Sequence, residues 1–154
     1  MKYSIREGTP QDATQIVALL PRLADINVPE YRVPEHLWHG DRSMIQQWAR
    51  GERPEVEVAI ATVDDDVVGI AVVSAKNEML SGLPSLHLET LAISVEAEGH
   101  GIGAALMRET DSIAQRKGAT GISLHVFSAN MRARALYERH GYQGELIRYF
   151  KPIN

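Results

Sequence analysis

The sequence predicts an α/β (α+β) domain, a mixed sheet with helices on its faces. Three observations carry this. Apolar runs of strand length alternate with helix-like stretches in the order β-α-α-β-β-β-α-β-α-β. Glycines stand just past the helical stretches, at Gly51, Gly118 and Gly141. The chain of 154 residues has no repeat, low-complexity stretch or interior linker, so one domain over 1–154 is expected to hold every element.

The elements follow in order. "YSIRE" (3–7) reads as a first strand. The helix after it has Thr9 as N-cap, Pro10 at its first position and Asp12 in its first turn. Ile16, Leu19, Leu20 and Leu23 supply its buried stripe. Three prolines within 25–42 predict a loop with at most a short helix, and a second helix near 42–50 stops at Gly51. Strands at 56–63 and 67–75 flank Asp64, Asp65 and Asp66, which read as a solvated hairpin turn rather than a metal site. A loop at 76–85 presents Met79 and Leu80, either to cover a site or to pack. A strand at 86–94, a helix at 102–117, a strand at 121–127 and a helix at 131–140 come next. "LIRYFKPI" (146–153) is read as the last strand.

Composition narrows the partners. A formal net charge of −4 argues against a general nucleic-acid binder. With no cysteine there is neither a disulfide framework nor a thiolate nucleophile. "MKYSIREGTP" lacks the apolar core of a signal peptide, and the longest aliphatic run, "VVGIAVV", is far too short to span a membrane. A cytoplasmic protein with no membrane partner is the default expectation.

The chemistry concentrates in "EGHGIGAALM" (98–107). Three glycines on alternate positions between a strand and a helix free the backbone for positive φ and for close approach by a ligand. The following helix would point its free N–H groups at an anion, most simply a phosphate. "GHGIGA" fits the dinucleotide form G-x-G-x-x-A, but it lies two-thirds along the chain, with no carboxylate on the next strand for a ribose. A P-loop is absent.

Read from Glu98 to Gly103, the turn resembles the acyl-CoA pyrophosphate motif of the GNAT (GCN5-related) N-acetyltransferases, within "LETLAISVEAEGHGIGAALM". "NMRARALYERHGY" (130–142) is similar to that family's N-x-x-A-x-x-L-Y-x-x-x-G-[FY] pattern. The resemblance spans nearly the whole chain. It implies a mostly antiparallel sheet, a splay between the fourth and fifth strands, and acetyl-CoA as co-substrate without a metal. Leu91, Ala92 and Ile93 would bind the pantetheine arm by main-chain hydrogen bonds. Gly99, His100, Gly101, Ile102, Gly103 and Ala104 would hold the pyrophosphate. Glu98 stands where the family usually has Arg or Gln, so the amides must bind without a cationic side chain there.

The resemblance also implies catalytic roles. Asn130 either reaches the pantetheine or caps the helix. Tyr137, a core aromatic by spacing alone, becomes the acid that protonates the departing thiolate. Glu89 ranks first as base for the amine, ahead of His125 and His87, with water as a further possibility; His87, Glu89 and Leu91 are expected on one strand face. Arg132 and Arg134 are either phosphate contacts or solvated helix charges. "HLWH" (36–39) with Asp41 lacks zinc-protease spacing and is read as lining the acceptor pocket. The expected activity is direct acetyl transfer to a primary amine in a ternary complex. The competing readings are a non-catalytic acyl-CoA-binding module and, more distantly, an NAD(P)-binding protein. A homodimer through the last strand is also expected.

Overall fold

In the computed structural model, which describes residues 1–154, five strands form one sheet in the order β1-β2-β3-β4-β5. These are β1 (Ser4–Glu7), β2 (Val56–Val63), β3 (Asp66–Asn77), β4 (Pro84–Ile93) and β5 (Ile122–Leu124). Neighbours from β1 to β4 are antiparallel, whereas β4 and β5 run parallel. At the β2–β3 hairpin Asp64 and Asp65 both take positive φ, a conformation that aspartate tolerates and the strand twist favours.

Two apolar clusters sandwich the sheet. On one face α1 (Ala13–Leu19), the 3-10 turn that follows it and α2 (His39–Ala49) bury Ile16, Leu20 and Ile45 against Val58, Ile60, Ile70 and Val72. On the other α3 (Ile102–Arg116) buries Ile102, Leu106, Met107 and Ile113 against Ala71, Val73, Leu86 and Leu88. Leu136 and Tyr137 of α4 (Met131–Arg139) pack at the edge of this second cluster. No helix is long and apolar enough to cross a membrane.

Entry into α1 follows the sequence signals. Residues 10–12 form a 3-10 turn opened by Pro10, and the Asp12 carboxylate accepts from the Thr9 N–H at 2.7 Å. Arg6 donates to both oxygens of Asp12, at 2.8 and 2.9 Å. These donors, the Arg6 guanidinium foremost, hold the Asp12 carboxyl down at about 2 despite its burial.

A bulge in β4 opens the sheet. Val72 pairs with Thr90 but Val73 pairs with Leu88, so Glu89 is the extra residue. Leu86 and Leu88 face α3, and beyond the bulge Leu91 and Ile93 still pack on that side. Thr90 reaches α2, and Ala92 joins the α1–α2 cluster. Leu91 therefore lies on the opposite face from His87 and Glu89, contrary to simple alternation. Pairing with β5 ends at Leu88 and Leu124, where the bulge turns β4 away. The two strands then splay.

Four expectations change. The fifth strand covers Ile122–Leu124 rather than 121–127, because residues 125–127 face the splay and have no ladder to join. The second helix begins at His39, and Asp41 sits in its first turn. Met79 and Leu80 are exposed in a loop turned by Glu78, whose carboxylate accepts the Leu80 and Ser81 N–H groups. The last strand does not form within the chain. Phe150 instead stacks on Tyr31 with Arg32 over both rings, which draws residues 143–154 across the 25–42 loop. The three-residue β5 offers too short an edge to compete for it.

Candidate active site

The splay widens into a cleft of about 1090 Å³ that runs from the glycine turn to α2. At one end Gly99 and Gly101 take φ +77° and +79°, and Gly101 is the N-cap of α3. Their positive φ, rather than crowding, demands glycine, since a Cβ at Gly99 would meet nothing within 4 Å and one at Gly101 only Tyr3 at 3.9 Å. Gly103 is different. A Cβ there would sit 3.2 Å from Ile93 and 3.4 Å from Leu136, so this glycine lets α3 close on β4 and α4. None of the amides of residues 99–104 has a backbone acceptor; the first helical bond is from Ala105 to the Gly101 carbonyl. Unpaired amides at the positive end of a 15-residue helix are suited to an anion.

Glu98 is neutralised from two sides. It accepts from Arg22, just past α1, and from Arg132 of α4 at 3.1 Å. Arg22 also donates to Asp25 and, through Nε, to the Ile93 carbonyl at 2.9 Å. The carboxylate at the head of the glycine turn thus brings two guanidiniums to the cleft. Arg134 is elsewhere, on the Ser128 carbonyl at 2.8 Å.

Along the splay the backbone of β4 alternates. Ser94 donates to the Val68 carbonyl, so the even-numbered residues bond to β3 and those of Leu91 and Ile93 turn to the open side. The main chain of Ala92 faces β3. Asn130 accepts from the Ala133 N–H at 3.2 Å and caps α4, with its amide nitrogen left over at the cleft wall. Tyr137 lines the same wall, edge-on to Tyr142 at 5.9 Å, and burial alone pushes its hydroxyl above the usual phenol range.

Across the sheet, on the α2 side, Glu89, Thr90, His125 and Asp41 line the cleft. Glu89 is already engaged, with Lys76 at 2.8 Å and the Ser74 hydroxyl at 3.1 Å. His87 bonds the Ser123 hydroxyl at 2.7 Å and lies 4.9 Å from the His125 ring, away from the cleft. Burial first, and then Lys76 and His125, lower the His87 pKa, while Glu89 opposes them. Asp41 accepts from the Thr90 hydroxyl, and burial with the nearby Glu89 charge raises its carboxyl above the usual range.

The structure brings the glycine turn, His100 excepted, and Leu91, Ile93, Asn130, Tyr137, Glu89 and His125 to this one cleft. The sequence gives no sign of what Arg22 and Asp41 do there. Arg22 reads as an ordinary charge after a helical stripe, and Asp41 as an adjunct of "HLWH", because both meet their partners only through folding. The rings of His36 and His39 lie 5.9 Å apart, and no three His, Cys, Asp or Glu side chains converge as a metal would require.

Residues 20–142 match the Acetyltransferase (GNAT) family. No curated protein matches the chain in sequence. Among solved structures, a putative acetyl transferase from Pyrococcus furiosus superposes with a TM-score of 0.81 at 21% identity, covering 99% of this chain and 100% of that one. A ribosomal-protein-alanine N-acetyltransferase from Brucella melitensis gives 0.72 at 19% identity, over 99% and 100% of the two chains. An aminoglycoside N-acetyltransferase in complex with CoA gives 0.73 at 15% identity, over 98% and 95%. At these identities the likeness is one of fold.

Proposed function

We propose, because this chain belongs to the acetyltransferase (GNAT) family, that it transfers acetyl from acetyl-CoA directly to a primary amine. One observation carries the reading: the acceptor-free amides of residues 99–104 adjoin a splayed strand whose Leu91 N–H and carbonyl and Ile93 N–H lack partners on that side, the Ile93 carbonyl accepting only from Arg22. The turn suits the pyrophosphate, and the strand edge suits an extended amide-bearing arm added as a strand would be. Acetyl-CoA would supply the thioester. The chain's part is to hold it beside the amine and to manage protons. Tyr137, kept protonated by burial on the cleft wall, would donate where thiolate charge develops. The aminoglycoside enzyme's complex with CoA supports the choice of co-substrate.

Thiol release from acetyl-CoA, followed with spermidine, kanamycin, a lysine peptide and an alanine-terminated peptide, tests the reading. Sustained turnover with any of them is expected. Tight CoA binding by calorimetry with no turnover on any amine would leave only an acyl-CoA-binding module. Pairing of two copies belongs to the same proposal, supported by the exposed Leu146, Ile147, Tyr149 and Ile153 and by a β5 whose outer edge has no partner.

A further inference from the structure

We propose that Asp41 is the group that receives the ammonium of the acceptor amine and takes its proton. Its carboxylate is the one in the cleft that folding leaves without a cation. Glu89 has Lys76, Glu98 has Arg22 and Arg132, and Asp25 has Arg22, but no ion pair of the chain includes Asp41. Its partner is neutral, the Thr90 hydroxyl donating to Oδ1. A partly buried carboxylate without a counter-ion is destabilised in its charged form, and an incoming ammonium is the ligand that relieves it. The same site gives a neutral or anionic acceptor nothing. The acceptor this site favours is therefore one that arrives as an ammonium.

Sidedness strengthens the assignment. The bulge at Glu89 turns Thr90 to the α1–α2 face of the splay, where it meets Asp41 of α2. Tyr137 packs with the α3 cluster on the other face. An amine entering past α2 and a thiol leaving past α4 would meet their proton acceptor and proton donor from opposite sides of the sheet. The exchange balances: a primary ammonium and a thioester give an amide, a thiol and one proton. An ammonium N–H bond breaks, its electron pair stays on nitrogen for attack and its proton moves to the Asp41 carboxylate, which later yields it to water. As the C–N bond forms and the C–S bond breaks, the thiolate takes the Tyr137 proton, and the second proton lost from nitrogen restores that hydroxyl. The titratable and charged groups around Asp41 are Glu89 on β4, with Lys76 of β3 behind it, and His125 beyond β5 on the lining of the same cleft, while Arg42 on its own helix is stacked over Trp38.

This inference rests on the acetyltransferase reading, and its test separates the two. With the best amine of the four-member panel, Asp41→Asn should lower kcat/KM at least about 100-fold. It should also erase the acid limb of the wild-type pH profile while leaving CoA affinity unchanged. Thr90→Val keeps the side-chain shape but removes the donor, and should move that limb to higher pH. Calorimetry of spermidine with the wild-type chain, in two buffers of different ionisation enthalpy, reads charge pairing without turnover, and Asp41→Asn should abolish the heat. Binding lost in Asp41→Asn with no wild-type turnover would sink the enzyme reading and keep the site. Wild-type turnover matched by Asp41→Asn, or an acid limb unmoved by Thr90→Val, would overturn the role of Asp41. So would a wild-type chain that neither binds nor acetylates any amine of the panel.

Discussion

At Tyr137 and Glu98 a single side chain makes a testable difference. Tyr137 has a hydroxyl whose proton is held more firmly than in free phenol, because burial disfavours the phenolate. Near neutral pH it is a donor. Tyr137→Phe keeps the ring packed beside Tyr142 and removes that donor, so kcat should fall roughly 10- to 1,000-fold with CoA affinity unchanged. Turnover at the wild-type rate across the pH range would return Tyr137 to a packing role. Glu98 is the opposite case, a carboxylate that occupies two guanidiniums. Glu98→Gln frees Arg22 and Arg132 toward the glycine turn. The apo chain should lose about 1 kcal/mol of unfolding free energy. CoA should bind several-fold tighter, with a steeper salt dependence. Weaker binding by calorimetry would show instead that Glu98 shapes the turn the phosphates need.

At the scale of elements, the start of α1 is the part whose stability depends most plainly on charge. Asp12 closes a capping box with Thr9 and a two-point ion pair with Arg6. Its folded carboxyl titrates at about 2 against an ordinary value of 3.8. The folded pKa is depressed, so the contribution is present above about pH 4 and is lost as pH falls through 2. Asp12→Asn should lower unfolding free energy by about 1–2 kcal/mol at pH 7. Denaturant melts should show the gap narrowing as pH drops from about 4 toward 2. A gap independent of pH over that range would mean that packing, not charge, sets the loss.

The whole molecule presents a sheet edge and an apolar tail that do not meet. Residues 143–154 run outside the sheet, with Ile147, Tyr149 and Ile153 at 79%, 88% and 84% exposure. Scattered apolar residues are ordinary on a surface, but an exposed apolar segment in a chain that also has an open strand edge invites a second copy. Light scattering should report a dimer, and Ile147→Lys with Tyr149→Lys should return it to monomer without altering CoA affinity. A wild-type chain that is monomeric at high concentration would reject the pairing.

Local chemistry made much of this protein legible in its sequence. The strands at Ser4–Glu7 and Val56–Val63, the acidic hairpin and the entry into α1 depend on neighbours along the chain, where turn and cap preferences are written. The glycine turn was equally legible, because positive φ at Gly99 and Gly101 is a property of the residue itself. The features that only tertiary structure decided all depend on residues distant in sequence. The bulge at Glu89 arises from the register of β3 on β4, and it alone reverses Leu91 relative to His87. Pairing with Lys76 and Ser74 engages Glu89, although its own strand gives no sign of it. Sequence separations of 49 for Asp41 and Thr90, and of 76 for Arg22 and Glu98, place those pairings beyond any local pattern. The last segment shows the same rule in reverse. Its apolar and aromatic residues read locally as a strand, yet a ladder needs a partner edge, and within one chain the Tyr31 and Arg32 contacts hold Phe150 instead.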